Sequence, residues 1–273
     1  MPIAAASVRD ALAAATDALA AAGVEMPRLD TELLLSEATG RDRAGLAAEP
    51  EAGVEPGAAR AFGGMVRRRV RREPVAYILG RTGFRNIEVA VDRRVLIPRP
   101  ETELLVEVAL ELRPRTVLDV GTGSGAVALA VADELADVVV MATDVSEAAL
   151  EVARANALRL GLGERIRFLR GTVPEGQQFE LVLANLPYVR EDEWERLAPE
   201  ITGYEPRDAL VAGPSGLEAI RALVQGVGPG VLALEVGAGQ APDVAALLRG
   251  AGFESTETRT DLAGIERVVV GRA

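Results

Sequence analysis

The chain contains no cysteine and no histidine. Thiol nucleophiles, disulfides, imidazole bases and ordinary zinc sites are therefore excluded. Lysine is missing as well: all 30 basic residues are arginine, which removes Schiff-base chemistry and the P-loop lysine. No run of about 18 apolar residues occurs, because charge or glycine interrupts every long apolar stretch, so no membrane span and no membrane partner is expected. The alanine-rich opening, MPIAAASVRDALAAATDALAAAGV, carries Asp10 and Asp17 and lacks a basic leader. It reads as a helix and not as a signal peptide, and a cytoplasmic location is expected. What remains for chemistry is carboxylates, amides, tyrosine and a bound cofactor.

At 273 residues, 49% hydrophobic and 26% charged, the chain has the make-up of a folded protein with one large domain or one large and one small. A net charge of -11 argues against a protein that coats nucleic acid, since such affinity rests largely on phosphate neutralisation. The local exception is RRRVRR, Arg67 to Arg72. It reads either as the solvated end of a helix or as a docking patch for an acidic partner or RNA.

Ser7 and Asp10 form a capping-box pattern ahead of Val8, Leu12, Ala15, Leu19 and Ala22, which recur at helical spacing up to Gly23. A second helix is expected from Pro27 to Gly40 and a third from about Gly57 to Arg72, giving a small helical N-terminal domain. Phe84, Ile87, Val89 and Val91, with Val95, Leu96 and Ile97 beyond Asp92, read as two extended runs of a hairpin between domains. From Glu101 onward helices and strands alternate, with strands expected at Thr116–Val120, Val138–Thr143, Ile166–Leu169, Phe179–Ala184, Val231–Val236 and Arg267–Gly271. This alternation indicates an α/β fold with a parallel sheet. The expected division is residues 1–74 as a helical substrate-recognition domain, 75–98 as a hairpin linker and 99–273 as the α/β domain.

Between the first of these strands and its helix lies LDVGTGSGA, in which Gly121, Gly123 and Gly125 permit close backbone approach at a helix N-terminus. The same residues can be forced into the G-x-G-x-x-A of dinucleotide dehydrogenases, so a nicotinamide cofactor has to be weighed. Asp119, however, puts a carboxylate where a pyrophosphate would be repelled and a cationic ligand favoured. The pattern D-x-G-x-G-x-G resembles the S-adenosylmethionine loop of class I methyltransferases. Asp144 ends the next strand, nineteen residues after Gly125, where a carboxylate can take ribose hydroxyls of either cofactor.

The strand FELVLA runs into Asn185-Leu186-Pro187-Tyr188. Asparagine and proline are ordinary turn formers. A methyl donor gives the tetrapeptide a sharper reading. An amide or exocyclic amine nitrogen is a poor nucleophile because its lone pair is delocalised. If Asn185 Oδ1 and the Leu186 carbonyl accept its N–H protons, density returns to nitrogen without a strong base, while Tyr188 lies against the planar group. In-line methyl transfer is expected, with neither a covalent enzyme intermediate nor a metal.

With LIPRPETE (Leu96 to Glu103), EPRDALVAGPSGL (Glu205 to Leu217), LALEVGAGQ (Leu232 to Gln240) and DLAGIERVVVG (Asp261 to Gly271) added to the loop, the chain resembles the peptide chain release factor glutamine methyltransferases over most of its length. That resemblance implies a Rossmann-like class I methyltransferase sheet, mostly parallel with an antiparallel last strand, behind a small helical N-terminal domain. It implies S-adenosylmethionine as cofactor and S-adenosylhomocysteine as product. The substrate it implies is the glutamine amide of the Gly-Gly-Gln motif in bacterial release factors, with no direct nucleic acid and a monomeric chain. Carried over by position, Asp119, Gly121, Thr122, Gly123, Ser124, Gly125, Asp144 and Val173 hold the cofactor. Asn185, Leu186, Pro187 and Tyr188 hold the substrate amide, Asn185 bordering both groups. Arg99 and Glu101 order the same pocket or merely start a helix, and Phe84 lines the substrate channel or fills the hairpin core. An RNA or DNA adenine N-methyltransferase is the alternative that the tetrapeptide alone supports.

The sequence departs from the family at two places. Leu186 stands where the family has its first proline, which removes the fixed φ there and leaves the loop less preorganised. RGTVPEG, Arg170 to Gly176, stands where Gly-Asp-Trp is common, so Val173 covers an adenine face by contact and not by stacking.

Overall fold

The computed structural model describes residues 7–228 and 230–273. The chain forms two compact units, Met1–Gly80 with Ala198–Tyr204, and Arg81–Leu197 with Glu205–Ala273.

In the first unit, helix α1 (Val8–Ala21) starts where the Ser7 hydroxyl accepts the Asp10 N–H at 3.1 Å and donates to the Asp10 carboxylate at 2.7 Å. Its buried stripe of Val8, Leu12, Ala15 and Leu19 is the one the spacing predicts. Helix α2 (Pro27–Thr39) opens on proline and ends at Gly40 in the left-handed conformation. Two further short helices, α3 (Arg43–Ala48) and α5 (Val75–Leu79), flank α4 (Pro56–Val70). Neither follows from periodicity, since one or two turns leave no repeat to read; α3 is held by the Asp42 carboxylate, which accepts the Gly45 N–H at 2.7 Å. Leu34, Leu35, Leu46 and Phe62 pack with Val8, Leu12 and Ala15 of α1 into one core.

The arginine run at the end of α4 is neither simply solvated nor a free basic patch. Arg68 is bidentate to Glu73, with both contacts at 2.8 Å. Arg69 is buried and pairs with Asp30 at 2.7 Å and Glu200 at 2.8 Å, and Arg72 grips Glu200 through two bonds of 2.7 Å. Arginine suits this role because its planar fork satisfies two carboxylates at once. The run anchors the chain segment Ala198–Tyr204 within its own unit.

The second unit begins with a hairpin of β1 (Arg81–Phe84) and β2 (Ile87–Ala90), Phe84 facing Ile87. The extended runs therefore fall earlier than expected: Val95–Ile97 is not a strand, and the turn lies at Arg85-Asn86. Helix α6 (Glu103–Leu112), β3 (Thr116–Val120), α7 (Ala126–Glu134), β4 (Val139–Asp144), α8 (Glu147–Arg159), β5 (Ile166–Arg170) and β6 (Leu181–Ala184) then alternate as predicted. The short strand β7 (Val189–Arg190) comes next, then α9 (Pro199–Tyr204), which belongs to the first unit, and β8 (Val211–Gly213). Helix α10 (Glu218–Gly226), β9 (Val231–Glu235), α11 (Ala241–Gly250), β10 (Ser255–Thr260) and β11 (Glu266–Arg272) complete the chain.

The seven-stranded sheet has the order β10-β11-β9-β6-β3-β4-β5, with β11 antiparallel between β9 and β10. Strand β10 is absent from the sequence reading because STETRT is an exposed, polar edge strand with no apolar alternation. Leu118, Val120, Val182, Leu232 and Leu234 of the sheet pack against Ile220 and Leu223 of α10 and Val244 and Leu248 of α11. From β3 the chain moves outward to β4 and β5, then returns to the other side of β3 as β6. That reversal opens a crevice at the carboxyl ends of β3 and β6, the usual position for a ligand in an open α/β sheet.

Candidate active site

A cavity of about 420 Å³ occupies this crevice, lined among others by Asp119, Gly121, Asp144, Asn185 and Leu186. Most of its wall comes from segments that leave the carboxyl ends of neighbouring parallel strands. The glycine loop follows β3, Asp144 ends β4, Gly171 and Thr172 follow β5, and Asn185 to Pro187 follow β6.

The glycine loop is pinned to the adjacent strand. The Gly121 and Thr122 N–H groups both donate to the Thr143 carbonyl, at 2.8 and 2.9 Å, and Gly123 N–H donates to Asp144 Oδ2 at 2.9 Å. Asp144 Oδ1 accepts the Ser146 N–H at 2.9 Å, so the carboxylate is fixed on both sides while each oxygen keeps lone-pair capacity toward the cavity. Gly121 has φ +74, and a Cβ there would lie 3.0 Å from Leu186 Cδ2. The leucine that replaces the family's proline therefore packs directly on the loop.

Asp119 is buried, and its Oδ2 accepts both the Thr122 hydroxyl at 2.6 Å and the Ala128 N–H at 3.2 Å. Its carboxylate is thus engaged in holding the loop to the first turn of α7. Burial pushes its pKa up to about 6, opposed by those two hydrogen bonds and reinforced by the charge of Asp144. A carboxyl raised on folding binds more protons folded than unfolded, so its contribution to stability is lost as pH rises through that range. Asp119→Asn should therefore gain on the wild type in urea midpoint between pH 5 and pH 8; a constant difference across that range would contradict the assignment.

The loop is also tied to the hairpin through Asn156 of α8, which is fully buried. Its Nδ2 donates to the Ser124 and Ala90 carbonyls at 2.9 and 3.0 Å, and its Oδ1 accepts the Ala90 N–H at 2.7 Å. Asn156→Ala strands three backbone groups and should cost about 3 kcal/mol by chemical denaturation; a loss below about 1 kcal/mol would show that water replaces the side chain.

At the tetrapeptide, Asn185 Nδ2 donates to Thr102 Oγ1 at 3.1 Å, which leaves Oδ1 as the acceptor of that amide. Asn185, Leu186 and Pro187 line the cavity. Tyr188, expected against the planar substrate group, lies outside that lining. It is largely buried and its hydroxyl donates to Glu235 Oε1 at 3.4 Å. Burial and the charges of Glu235 and Glu101 hold its phenol proton on well above the ordinary range. Gln240 donates to the Tyr188 carbonyl at 3.0 Å while accepting the Gly237 N–H at 2.8 Å. A Cβ on Gly216, whose φ is +75, would meet that same carbonyl at 2.6 Å, so only glycine fits. Beyond Tyr188 the chain enters a two-stranded parallel ladder of β7 with β8, Val189 N–H donating to Leu210 O at 2.9 Å.

The remaining predicted residues fall around the cavity. Arg99 pairs with the buried Glu205 at 2.5 Å, and Glu205 also accepts the Ile97 N–H at 3.2 Å, which fixes the segment that supplies Pro98 and Thr102 to the wall. Arg99 and Glu101 do not themselves line it, and Glu101 lies in the 3₁₀ turn Pro100–Thr102 before α6. Phe84 is buried at the end of β1, away from the lining. Val173 packs against the sheet core, and Gly171 and Thr172 take the wall position instead. Thr102, Asn156, Glu205, Glu235 and Gln240 were not singled out from the sequence. Glu235, an acid inside the apolar run VLALEV, was the one with a visible signal.

The charged residues of the lining are Asp119, Asp144, Asp208 and Arg94. An acidic cavity suits a cationic sulfonium with its adenosine and opposes a pyrophosphate. Sheet, loop and acidic cavity together define a class I, S-adenosylmethionine-dependent methyltransferase. A family model described as the PrmC N-terminal domain matches residues 10–80, and one described as a methyltransferase domain matches 117–204. A release factor glutamine methyltransferase of Geobacter sulfurreducens is 41% identical over 264 residues, 93% of this chain and 92% of the relative. The protein of the same name from Gloeobacter violaceus is 45% identical over 218 residues, 75% and 76% of the two chains. The chain belongs to the release factor glutamine methyltransferase family. Among solved structures, the hMettl16 catalytic domain in complex with MAT2A 3'UTR hairpin 6 superimposes with a TM-score of 0.59 over 72% of this chain and 81% of that one. At 15% identity this is a likeness of fold alone.

Proposed function

We propose that the chain methylates the side-chain amide nitrogen of the glutamine in the Gly-Gly-Gln motif of bacterial peptide chain release factors. The observation that carries this reading is the anchored Asn185 amide, with Nδ2 tied to Thr102 and Oδ1 left to accept from a substrate N–H at the cavity wall. When bound, S-adenosylmethionine supplies an electrophilic methyl group on a sulfonium. Asp144 takes ribose hydroxyls, and the backbone of Gly121 to Gly125 follows the ligand closely. Asp119 holds Thr122, Asn156 holds Ser124, and the Asp119 carboxylate adds negative charge beneath the loop.

Asn185 Oδ1 and the Leu186 carbonyl accept the two protons of the glutamine amide. Both the plane and the lone pair of the nitrogen are then aimed into the cavity, and electron density is drawn back onto it. No strong base is needed, because the nitrogen becomes strongly acidic as the methyl group joins it and sheds one of its two protons past the Asn185 acceptor to solvent, which suits a chain without histidine or lysine. Leu186 and Pro187 supply apolar wall, and Tyr188 braces the tetrapeptide from behind. Arg99, with Glu205, sets the facing segment.

The helical unit is assigned to recognition of the release factor, with the chain acting as a monomer in the cytoplasm and without direct contact to nucleic acid. No helix among the described residues is long and apolar enough to cross a membrane. The test offers purified release factor and ribosomal RNA in parallel, with labelled S-adenosylmethionine. Label in the release factor is the expected result; label in RNA alone would favour adenine as the substrate and overturn the reading.

A further inference from the structure

One buried amide joins the hairpin to the glycine loop. Asn156 lies within α8 with 0% exposure, and both of its donors and both lone pairs are used. Nδ2 donates to the Ser124 carbonyl at 2.9 Å and the Ala90 carbonyl at 3.0 Å. Oδ1 accepts the Ala90 N–H at 2.7 Å and Arg159 at 3.4 Å. The partners fix which end of the amide is which, since a flipped side chain would set its oxygen against two carbonyls. Asparagine is a poor residue for a helix interior, because its side chain competes with the backbone for hydrogen bonds. Its presence here is explained by what the amide imitates. Toward Ala90 it exchanges an N–H and a C=O contact as a neighbouring strand would, and its second N–H reaches the loop.

Both ends of this link are walls of the cofactor cavity. Ser124 lines it directly. Ala90 ends β2 and leads into the segment that supplies Arg94, Val95, Leu96 and Pro98 to the lining. Val91 and Val95 of that segment are buried, and the Val95 N–H closes a turn on the Asp92 carbonyl at 3.1 Å. A displacement of Ala90 is therefore carried into the wall. The other contacts from α8 to this stretch join exposed groups: Glu151 with Arg94 at 3.2 Å, and Arg159 with the Glu88 carbonyl and, at 3.6 Å, the Glu88 carboxylate. Pairs of that kind contribute little, which leaves the link to Asn156.

The turn of the hairpin is held separately. The Arg85 N–H donates to Glu103 at 2.9 Å, and its guanidinium is bidentate to Glu134 at 2.5 and 3.1 Å. Loss of Asn156 thus loosens the base of the hairpin and the loop while the turn stays fastened to α6 and α7.

We propose that Asn156 is a positioning residue for the cofactor and that the hairpin is part of the cofactor site. Through the Ser124 carbonyl the amide sets the glycine loop, and through Ala90 it sets residues 91–98, so that two walls of one cavity keep a fixed separation. S-adenosylmethionine in that cavity steadies both walls. The coupling is reciprocal: the affinity lost when the link is broken equals the factor by which bound cofactor suppresses its breaking.

The test uses the full-length protein with S-adenosylmethionine and S-adenosylhomocysteine, read by calorimetry, urea midpoint and hydrogen exchange. Asn156→Ala should weaken both ligands roughly 5- to 50-fold. Leu248→Ala, in the core beneath α11 and outside the cavity lining, is the control for lost stability, and it should bind both ligands as wild type does. In wild type, S-adenosylhomocysteine should slow exchange across β2 while leaving the edge strand β10 unchanged, and Asn156→Ala should lose that protection. Wild-type affinity in Asn156→Ala overturns the positioning role, as does an equal loss of affinity in Asn156→Ala and Leu248→Ala. Should Asn156→Ala fail to fold, exchange in the wild type decides alone: protection confined to the glycine loop, with β2 unchanged, overturns the proposal.

Discussion

Replacing Asn185 with alanine lowers kcat for release factor methylation by roughly a hundredfold to a thousandfold, the scale of loss when one preorganised polar contact to the reacting group is removed. The expectation follows from the anchored amide. Thr102 fixes one end of the Asn185 side chain, and the other end is the acceptor that orients the glutamine nitrogen and raises its nucleophilicity. The Leu186 carbonyl cannot compensate, because a planar amide held by one contact still rotates about it. Cofactor affinity should change little, since the loop and Asp144 are held by Thr143, Ser146 and their own backbone. Stopped reactions with saturating cofactor separate the two effects. A near-normal kcat would remove Asn185 from the mechanism, and a large loss of cofactor affinity would reassign it to binding.

The second large effect is the reverse. Asp144→Ala should weaken S-adenosylmethionine binding by about 2–3 kcal/mol, or roughly 30- to 150-fold in Kd, because it removes a charged acceptor for a pair of hydroxyls. The same carboxylate holds the Gly123 and Ser146 N–H groups, so part of the loss comes through a looser loop. S-adenosylhomocysteine should lose a similar factor, because the ribose is common to both. Calorimetry with each ligand reads this directly, and unchanged affinity for both would contradict the ribose contact. With saturating cofactor, kcat should stay within a few-fold of wild type, which distinguishes Asp144 from Asn185.

The sequence revealed the central strands, the glycine loop and its two acids because each is carried by a local pattern. Continuous apolar runs mark β3, β4, β6 and β9, and glycines at alternate positions mark the loop. It was silent on α3 and α5, too short to show a period, and on β10, a largely exposed edge strand whose polar residues carry no apolar alternation. The hairpin was misplaced toward Val95–Ile97 because apolar residues there serve the cavity wall and the interior without strand pairing. For the site, residues that touch a ligand were legible from motif, whereas the residues that hold them were not. Asn156 sits 66 residues from Ala90, Glu205 sits 106 from Arg99, and Glu235 sits 47 from Tyr188. No local spacing encodes such pairs. The blocks EPRDALVAGPSGL and LALEVGAGQ nevertheless acquire a physical reason: they supply Glu205, the β8 partner of β7, Gly216, Glu235 and Gln240, which together cradle Tyr188 and the facing segment.

The arginine run shows the same limit from another side. Of the five arginines that suggest an external acidic partner, Arg68, Arg69 and Arg72 are committed to Glu73, Asp30 and Glu200, and only the fold brings those carboxylates within reach.

The most direct measurement is tandem mass spectrometry of the release factor peptide that carries Gly-Gly-Gln, after reaction with this chain and S-adenosylmethionine. The account predicts a single added methyl on the side-chain nitrogen of that glutamine, absent when Asn185→Ala replaces the wild type. A methyl on another residue of the release factor, or none while the cofactor is still bound, would contradict it.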